Sequence, residues 1–276
     1  GADARQPDAV AKIYQAKGRP SNNPLIVHLG DAAAVATYVN VTPTAQKLMN
    51  AFWPGPMTVV LPLRGGHGLA DAVTAGLATL AVRVPKHPVA QSLLSAFDGP
   101  VAAPSANRSG KISPTTPDHV RAGLADRIDG LVVGPNCDVG LESTIIGFDP
   151  DPVILRPGNI TPDRIMAITG HRPRIATTPT TLTAPGQMAS HYAPNATVRL
   201  NVTDPSPDDA VLGFGPMACD INLSANADLN EAAENLFAAL YQLDQLQRPI
   251  AVAPIPDQGV GIAINDRLKR AAAPRD

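Results

Sequence analysis

The chain has 276 residues, with 22 Lys and Arg against 24 Asp and Glu, a formal net charge of −2. That balance excludes a whole-chain basic footprint for nucleic acid, although a local basic cleft stays open. Apolar residues at 44% and charged residues at 17% mark a globular rather than a disordered chain, and the length suggests two domains.

Cys137 and Cys219 lie far apart, with no neighbouring Cys at metal spacing, so no zinc site or disulfide framework is expected. Two free thiols fit a reducing compartment. No apolar run reaches the roughly 18 residues that span a bilayer, and no signal peptide is seen. The expectation is a cytoplasmic protein without a membrane span. The 29 prolines, about twice average usage, punctuate the chain into short elements.

In chain order, the first sixteen residues read as a loop and then a helix capped by Asp8 and stopped by Gly18. Leu25–Leu29 reads as a strand and Asp31–Val39 as a helix. Thr42-Pro43 supplies an N-cap and a first-turn proline for a helix through Phe52. Thr58–Leu63 and Leu80–Val84 read as strands, and Pro88 opens a helix through Phe97. Val101–Ala103 is a strand running into Pro104-Ser105-Ala106-Asn107, and Thr116-Pro117 starts the next helix. Leu131–Val133, Ser143–Phe148 and Val153–Arg156 read as strands, followed by a helix from Thr161-Pro162 to Gly170.

Irregular alternation of strands and helices implies an α/β or α+β domain over 1–170, built on a twisted mixed sheet with flanking helices. From 171 to 195 threonines and prolines interleave without periodicity, so this stretch reads as a linker. A smaller α/β domain follows over 196–276. Val198–Val202, Ala210–Phe214 and Ile250–Val252 are its strands, Asp228–Leu246 an amphipathic helix and Gly259–Arg270 the last helix.

Three constellations could carry chemistry. Lys17 and Arg19 place two cations at a helix end, in a segment stiffened by Gly18 and Pro20 and followed by Asn23-Pro24 and His28. Such cations suit phosphate or carboxylate, but they are also common at any helix C-terminus. Ser105, Asn107, Ser109 and Gly110, with Ser113 just beyond, form a loop of small donors after a strand. Backbone and hydroxyl donors there could hold phosphate, although the same residues make ordinary turns. The loop lacks the Walker spacing and the nucleophile elbow's flanking glycines. Arg83 interrupts an apolar strand, and Arg156 ends one near Glu142-Ser143-Thr144. Each arginine could face a ligand at a strand end or sit in a buried ion pair.

The ordered set narrows these alternatives. Lys17-x-Arg19-Pro20, Asn23-Pro24-Leu-Ile-Val-His28, Trp53-Pro54-Gly55-Pro56-Met57-Thr58, Arg83-Val84-Pro85, Pro104-Ser105-Ala106-Asn107-x-Ser109-Gly110, Ser143-Thr144 and Arg156-Pro157-Gly158 resemble the YrdC-domain signature in order. Pro185-Gly186-Gln187-Met188-x-Ser190-His191-Tyr192-x-Pro194 is similar to the linker of the long, two-domain members. Asp228-Leu229-x-Glu231-Ala232-Ala233 and Gly261-Ile-Ala-Ile-x-Asp266-Arg267-Leu268 are similar to their C-terminal domain, a small Rossmann-like α/β unit.

The resemblance implies a threonylcarbamoyl-AMP synthase, a nucleotidyltransferase. It would join L-threonine, bicarbonate or CO2, and ATP, release pyrophosphate, and serve threonylcarbamoyladenosine modification of tRNA. By matching positions, Lys17 and Arg19 would be catalytic. Arg19, Asn23, Thr79, Ala103, Ser105, Ser113, Arg156 and Asn195 would face ATP. His28, Arg83 and Ser143 would face threonine, and Tyr192 would belong to a lid. Mg²⁺ is expected on the triphosphate, with no metal ligand from the protein. Hand-over to a tRNA threonylcarbamoyl transferase complex is a further implication, and direct tRNA contact stays open. Family members carry an extra strand and a Thr-Glu-Thr-Val-Tyr-Gly-Leu segment before the Gly1-Ala-Asp-Ala stretch, so the chain is expected to be a fragment lacking that strand. The alternative is an RNA-binding or regulatory YrdC-like protein without turnover.

Overall fold

The computed structural model describes residues 1–135, 139–176, 184 and 190–274. The chain divides into two compact units. The first comprises Gly1–Pro104 and Ser143–Gln187, the second Ser105–Glu142 and Met188–Asp276.

The first unit is built on one mixed sheet. Its strands are β1 (Ala2–Asp3), β2 (Ile26–His28), β3 (Met57–Pro62), β4 (Thr79–Arg83), β5 (Val101–Ala102), β6 (Thr144–Asp149), β7 (Asp151–Arg156) and β8 (Arg174–Ile175). They lie in the order β1-β5-β2-β4-β3-β6-β7-β8. The β2–β4, β3–β6 and β7–β8 pairs are parallel; β1–β5, β2–β5, β3–β4 and β6–β7 are antiparallel. The expected mixed sheet with flanking helices is therefore present.

Local chemistry explains the helices. Pro7 at the first position and Gly18 in the left-handed conformation (φ 59°) bound α1 (Pro7–Lys17). The N-cap is Gln6, without a side-chain bond; Asp8 lies inside the first turn rather than capping it. Thr42 caps α2 (Pro43–Phe52) by accepting from the Ala45 amide. α3 (Pro88–Phe97) also opens on proline, and Thr161 caps α5 (Pro162–Thr169), which stops at Gly170. Asp31 does cap the next turn, but Ala32–Thr37 winds as a 3-10 helix rather than an α-helix. Val10, Leu25, Val27, Leu48, Met57, Val59, Leu61, Val82, Ile146 and Ile154 join the buried core beneath the sheet. Burying such side chains stabilises by roughly 1.5–3 kcal/mol each.

The second unit has an all-parallel sheet of β9 (Val198–Arg199), β10 (Ala210–Gly213), β11 (Ile221–Asn222) and β12 (Ile250–Val252), in the order β11-β10-β12-β9. The expected amphipathic helix is α6 (Leu229–Asp244), capped by Asp228 and burying Ala232, Ala233, Leu236, Leu240 and Leu243. It links β11 to β12, and α7 (Gly261–Ala271) follows. A parallel sheet with a helical crossover, here α6, fits the small Rossmann-like α/β unit expected. The segment Ser105–Glu142, with α4 (Pro117–Leu124), belongs to this unit. Gly140 (φ 68°) shows how closely it packs: a Cβ there would lie 2.3 Å from the Ala233 carbonyl oxygen of α6.

Leu131–Val133, read as a strand, is not one. Val132 and Val133 are 63% and 58% exposed, so their apolar run finds no sheet to join. Conversely, β8 lies inside the stretch read as linker, where the Ala176 amide also donates to the Ile154 carbonyl. Cys219 is a free thiol; Cys137 and the Pro185–Met188 part of the linker motif lie outside the described residues.

Candidate functional site

Strand register assembles the main cluster of the first unit. His28 on β2 pairs with Arg83 on β4. One residue beyond the Val59–Val82 pair of β3 and β4 come Thr58 and Arg83. Residues opposite one another across adjacent strands share a face, so His28, Arg83 and Thr58 form a row across three strands. Arg83 donates through Nε to the Gly55 carbonyl (3.1 Å), and Gly55 in turn donates its amide to the Val84 carbonyl (2.9 Å). Gly55 is required there: a Cβ would lie 2.1 Å from the Phe52 carbonyl oxygen.

Ser143 extends the row. Its hydroxyl shares a 2.7 Å hydrogen bond with Thr58 Oγ1. The buried Arg156 donates through Nε and Nη2 to the Ser143 carbonyl (3.2 and 3.1 Å) and through Nη2 to its hydroxyl (3.2 Å). Half-buried among apolar strands and beside the Arg83 cation, the His28 imidazole is pushed down to about 3, by desolvation first, and is neutral at physiological pH. Its Nδ1 is buried without a hydrogen-bond partner. Such an atom inside a polar row is a ready contact for a ligand.

Lys17 and Arg19 are both buried where α1 ends. Arg19 donates through Nε to the Asn23 carbonyl (3.0 Å), and through Nη2 to Asn23 Oδ1 (2.7 Å) and the Pro24 carbonyl (2.6 Å). Tyr14 donates to the Asn23 carbonyl as well (3.1 Å), so the Arg19–Pro24 turn is braced before β2 begins. Burial, and then the neighbouring Arg19 charge, lowers the Lys17 ammonium to about 7. Thr79 starts β4, four residues from Arg83 and therefore about 13 Å away along the strand. The Ala103 amide donates to the Ile26 carbonyl, at the start of β2.

The second unit holds the remaining residues. Ser105 opens its first segment, and the Asn107 amide donates to the Lys111 carbonyl (2.7 Å). Lys111 Nζ donates to Asn195 Oδ1 (2.7 Å), and Asn195 Nδ2 donates to Asp244 (2.9 Å). Ser113 donates its hydroxyl to Glu142 Oε1 (2.6 Å). Tyr192, left-handed at φ 62° and 1% exposed, packs against His191 and Phe237 in this unit's core. Sequence reasoning assigned no role to Thr58, Lys111, Glu142, Asp244 or Arg267. Thr58 stood inside a quoted motif, but only strand register reveals its neighbours.

These features define a two-unit α/β protein whose first unit sets cations and hydroxyls across the inner strands of its sheet, suited to anionic ligands. Comparison with known proteins makes the assignment specific. The family model described as telomere recombination, for Sua5, YciO and YrdC proteins, matches residues 1–158. The model described as threonylcarbamoyl-AMP synthase, C-terminal domain, matches residues 160–273. The chain belongs to the Sua5/YciO/YrdC family.

Among its relatives, the threonylcarbamoyl-AMP synthase of Bacillus subtilis is 39% identical over 300 aligned residues, covering 100% of this chain and 86% of that protein. The corresponding Pyrococcus abyssi protein is 34% identical, over 100% of this chain and 87% of its own. A crystal structure of P. abyssi Sua5 complexed with L-threonine superposes with a TM-score of 0.90 at 34% identity, covering 99% of this chain and 86% of that one.

Proposed function

We propose that the chain makes threonylcarbamoyl-AMP from L-threonine, bicarbonate or CO2, and ATP, releasing pyrophosphate, for threonylcarbamoyladenosine modification of tRNA. The observation that carries this reading is the His28–Arg83–Thr58–Ser143–Arg156 row. It joins a neutral imidazole, two guanidiniums and two hydroxyls, a donor set matched to a small hydroxy amino acid. The threonine-bound P. abyssi relative supports it.

His28, Arg83 and Ser143 are assigned to threonine. Lys17, Arg19, Asn23, Thr79, Ala103 and Arg156 are assigned to ATP in the first unit, and Ser105, Ser113 and Asn195 in the second. Lys17 and Arg19 are the catalytic cations. Along the sequence, 1–170 are assigned to the catalytic domain, 171–195 to a linker with Tyr192 as part of a lid, and 196–276 to the C-terminal domain; by packing, Ser105–Glu142 count with the second unit and β8 with the first.

The amine of threonine, once deprotonated, adds to CO2 and gives a carbamate plus a proton. A carbamate oxygen then attacks the α-phosphorus, and pyrophosphate leaves with the bonding electron pair. Carbamate, carboxylate and triphosphate are all anions, so the residues work by neutralising charge and by positioning. Near neutral pH, Lys17 titrates around its lowered value of about 7 and regains its proton when phosphate charge approaches. Among the described residues no cluster of three or more His, Cys, Asp or Glu could hold a metal ion. Mg²⁺ is expected on the triphosphate, where it would spread phosphate charge. The product would pass to a tRNA threonylcarbamoyl transferase complex in the cytoplasm. No described helix is long and apolar enough to cross a membrane.

The test is pyrophosphate release from ATP and bicarbonate, with and without L-threonine. Threonine-dependent release is expected. ATP-independent RNA binding without release would replace this reading with a binding or regulatory one.

A further inference from the structure

We infer that Arg267, on α7, is a positioning residue for the nucleotide, acting through Glu142 on Ser113. The inference rests on the assignment of Ser113 to ATP. Arg267 is 0% exposed. It donates through Nε to Glu142 Oε2 (2.8 Å) and through Nη1 to Asp266 Oδ2 (2.7 Å). Its guanidinium carbon lies 5.2 Å from the centroid of the Tyr192 ring. Arg270 holds Asp266 in turn, donating through Nε (3.1 Å) and Nη2 (2.9 Å). Glu142 is thus fixed at one oxygen by a rigid, buried fork, and its other oxygen accepts from Ser113.

That arrangement sets the polarity of Ser113. A serine hydroxyl has one hydrogen and two acceptor lone pairs. The hydrogen is committed to Glu142 at 2.6 Å, the length of a charge-assisted bond. What Ser113 can offer a ligand is an acceptor. A phosphate oxygen in ATP is itself an acceptor, so Ser113 fits a ligand donor: a ribose hydroxyl or the adenine amine. The Arg267–Glu142–Ser113 chain therefore reads the nucleoside half of ATP, not its triphosphate. A buried ion pair is weak as a stability device, since apolar residues of similar volume often serve as well. Orientation of a ligand-facing hydroxyl is what it adds.

The experiment uses the full chain and calorimetric binding of two probes, ATP and inorganic tripolyphosphate, with a thermal melt on each variant. Glu142→Gln keeps the shape but lets its amide donate to Ser113, which frees the hydroxyl hydrogen and inverts its polarity. Weakening of ATP binding by about tenfold is expected, with tripolyphosphate binding changed less than twofold. Arg267→Lys is expected to move in the same direction, and to add little in the Glu142→Gln background. Should Arg267→Lys fail to fold, Glu142→Gln still decides, because it removes the charged partner of the Arg267 fork. Unchanged ATP binding in Glu142→Gln overturns the inference. Equal loss of both probes also overturns it, since a general packing role would produce that. If the original chain binds neither probe, the assignment to ATP fails first and takes this inference with it.

Discussion

The arginines of the first unit's candidate site and Arg267 of the second unit are described with different acceptors. In the first unit, the hydrogen bonds described for Arg19, Arg83 and Arg156 run to carbonyl, amide and hydroxyl oxygens. Bonds to neutral acceptors orient a guanidinium and leave its formal charge in place. In the second unit, Arg267 donates to two carboxylates, Glu142 and Asp266, which balance its charge. The bonds described for the first set fix the direction of each guanidinium, and those of the second tie a cation to carboxylates. Arg156 and Arg267, both buried, thus differ in the acceptors that orient them.

The largest effect should come from breaking the balanced arrangement. Arg267→Ala takes the buried guanidinium from Glu142 and leaves Asp266 held by Arg270 alone, and loss of about 3 kcal/mol is expected in urea unfolding followed by circular dichroism. A loss below 1 kcal/mol would mean that Arg267 is not structural in this sense. Next come the cations held by neutral acceptors. Arg19→Ala or Arg156→Ala should lower threonine-dependent pyrophosphate release by about 10²-fold, the scale of removing one donor to a developing charge. Near-normal turnover in both would erase the contrast between the units.

A smaller effect sharpens the comparison within the row. Thr58→Val removes the hydroxyl that shares a bond with Ser143, and should raise the threonine KM about tenfold while leaving the ATP KM unchanged. The smallest effect is protonic. At pH 8, Lys17 with a value of about 7 is roughly one-tenth protonated, and bound phosphate should return the missing proton. Proton uptake on ATP binding, read from calorimetry in buffers of different ionisation enthalpy, should be larger at pH 8 than at pH 6, and should shrink in Lys17→Met. Lys17 also affects stability. Its value falls from the usual 10.5 to about 7 on folding, so between those pH values the unfolded chain binds more protons. The penalty for burying this ammonium is complete below about pH 7 and is relieved as pH rises toward 10.5.

Local signals were legible where chemistry is local. Thr42, Thr116, Thr161 and Asp228 cap the helices that their positions suggest. The α6 stripe buries the residues its spacing selects, because a helix that packs one face must repeat apolar residues every three or four positions. Signals failed where a partner elsewhere decides. Leu131–Val133 has a strand's composition but no edge to pair with, and Ala32–Thr37 tightens to a 3-10 turn. The short strands β1, β8 and β11 are only two residues long, too short to show a pattern, and exist because a neighbour supplies the ladder.

The candidate site divides in the same way. Lys17, Arg19 and Asn23 are close in sequence, so their braced turn could be read directly. His28, Arg83, Ser143 and Arg156 could be picked out as residue types in an ordered motif, since the motif fixes identity. Their meeting depends on β2, β3, β4, β6 and β7 lying side by side, which no spacing along the chain encodes. Thr58 joins them, and Arg267 reaches Glu142 across 125 positions, only because folding closes those distances. Sequence by itself determined where the capped α-helices begin and which family pattern the chain carries, because caps, prolines and apolar periods act within a few residues. Tertiary structure alone decided which acceptors each guanidinium meets, because packing brings Ser143 to Arg156 and Glu142 to Arg267 from distant parts of the chain.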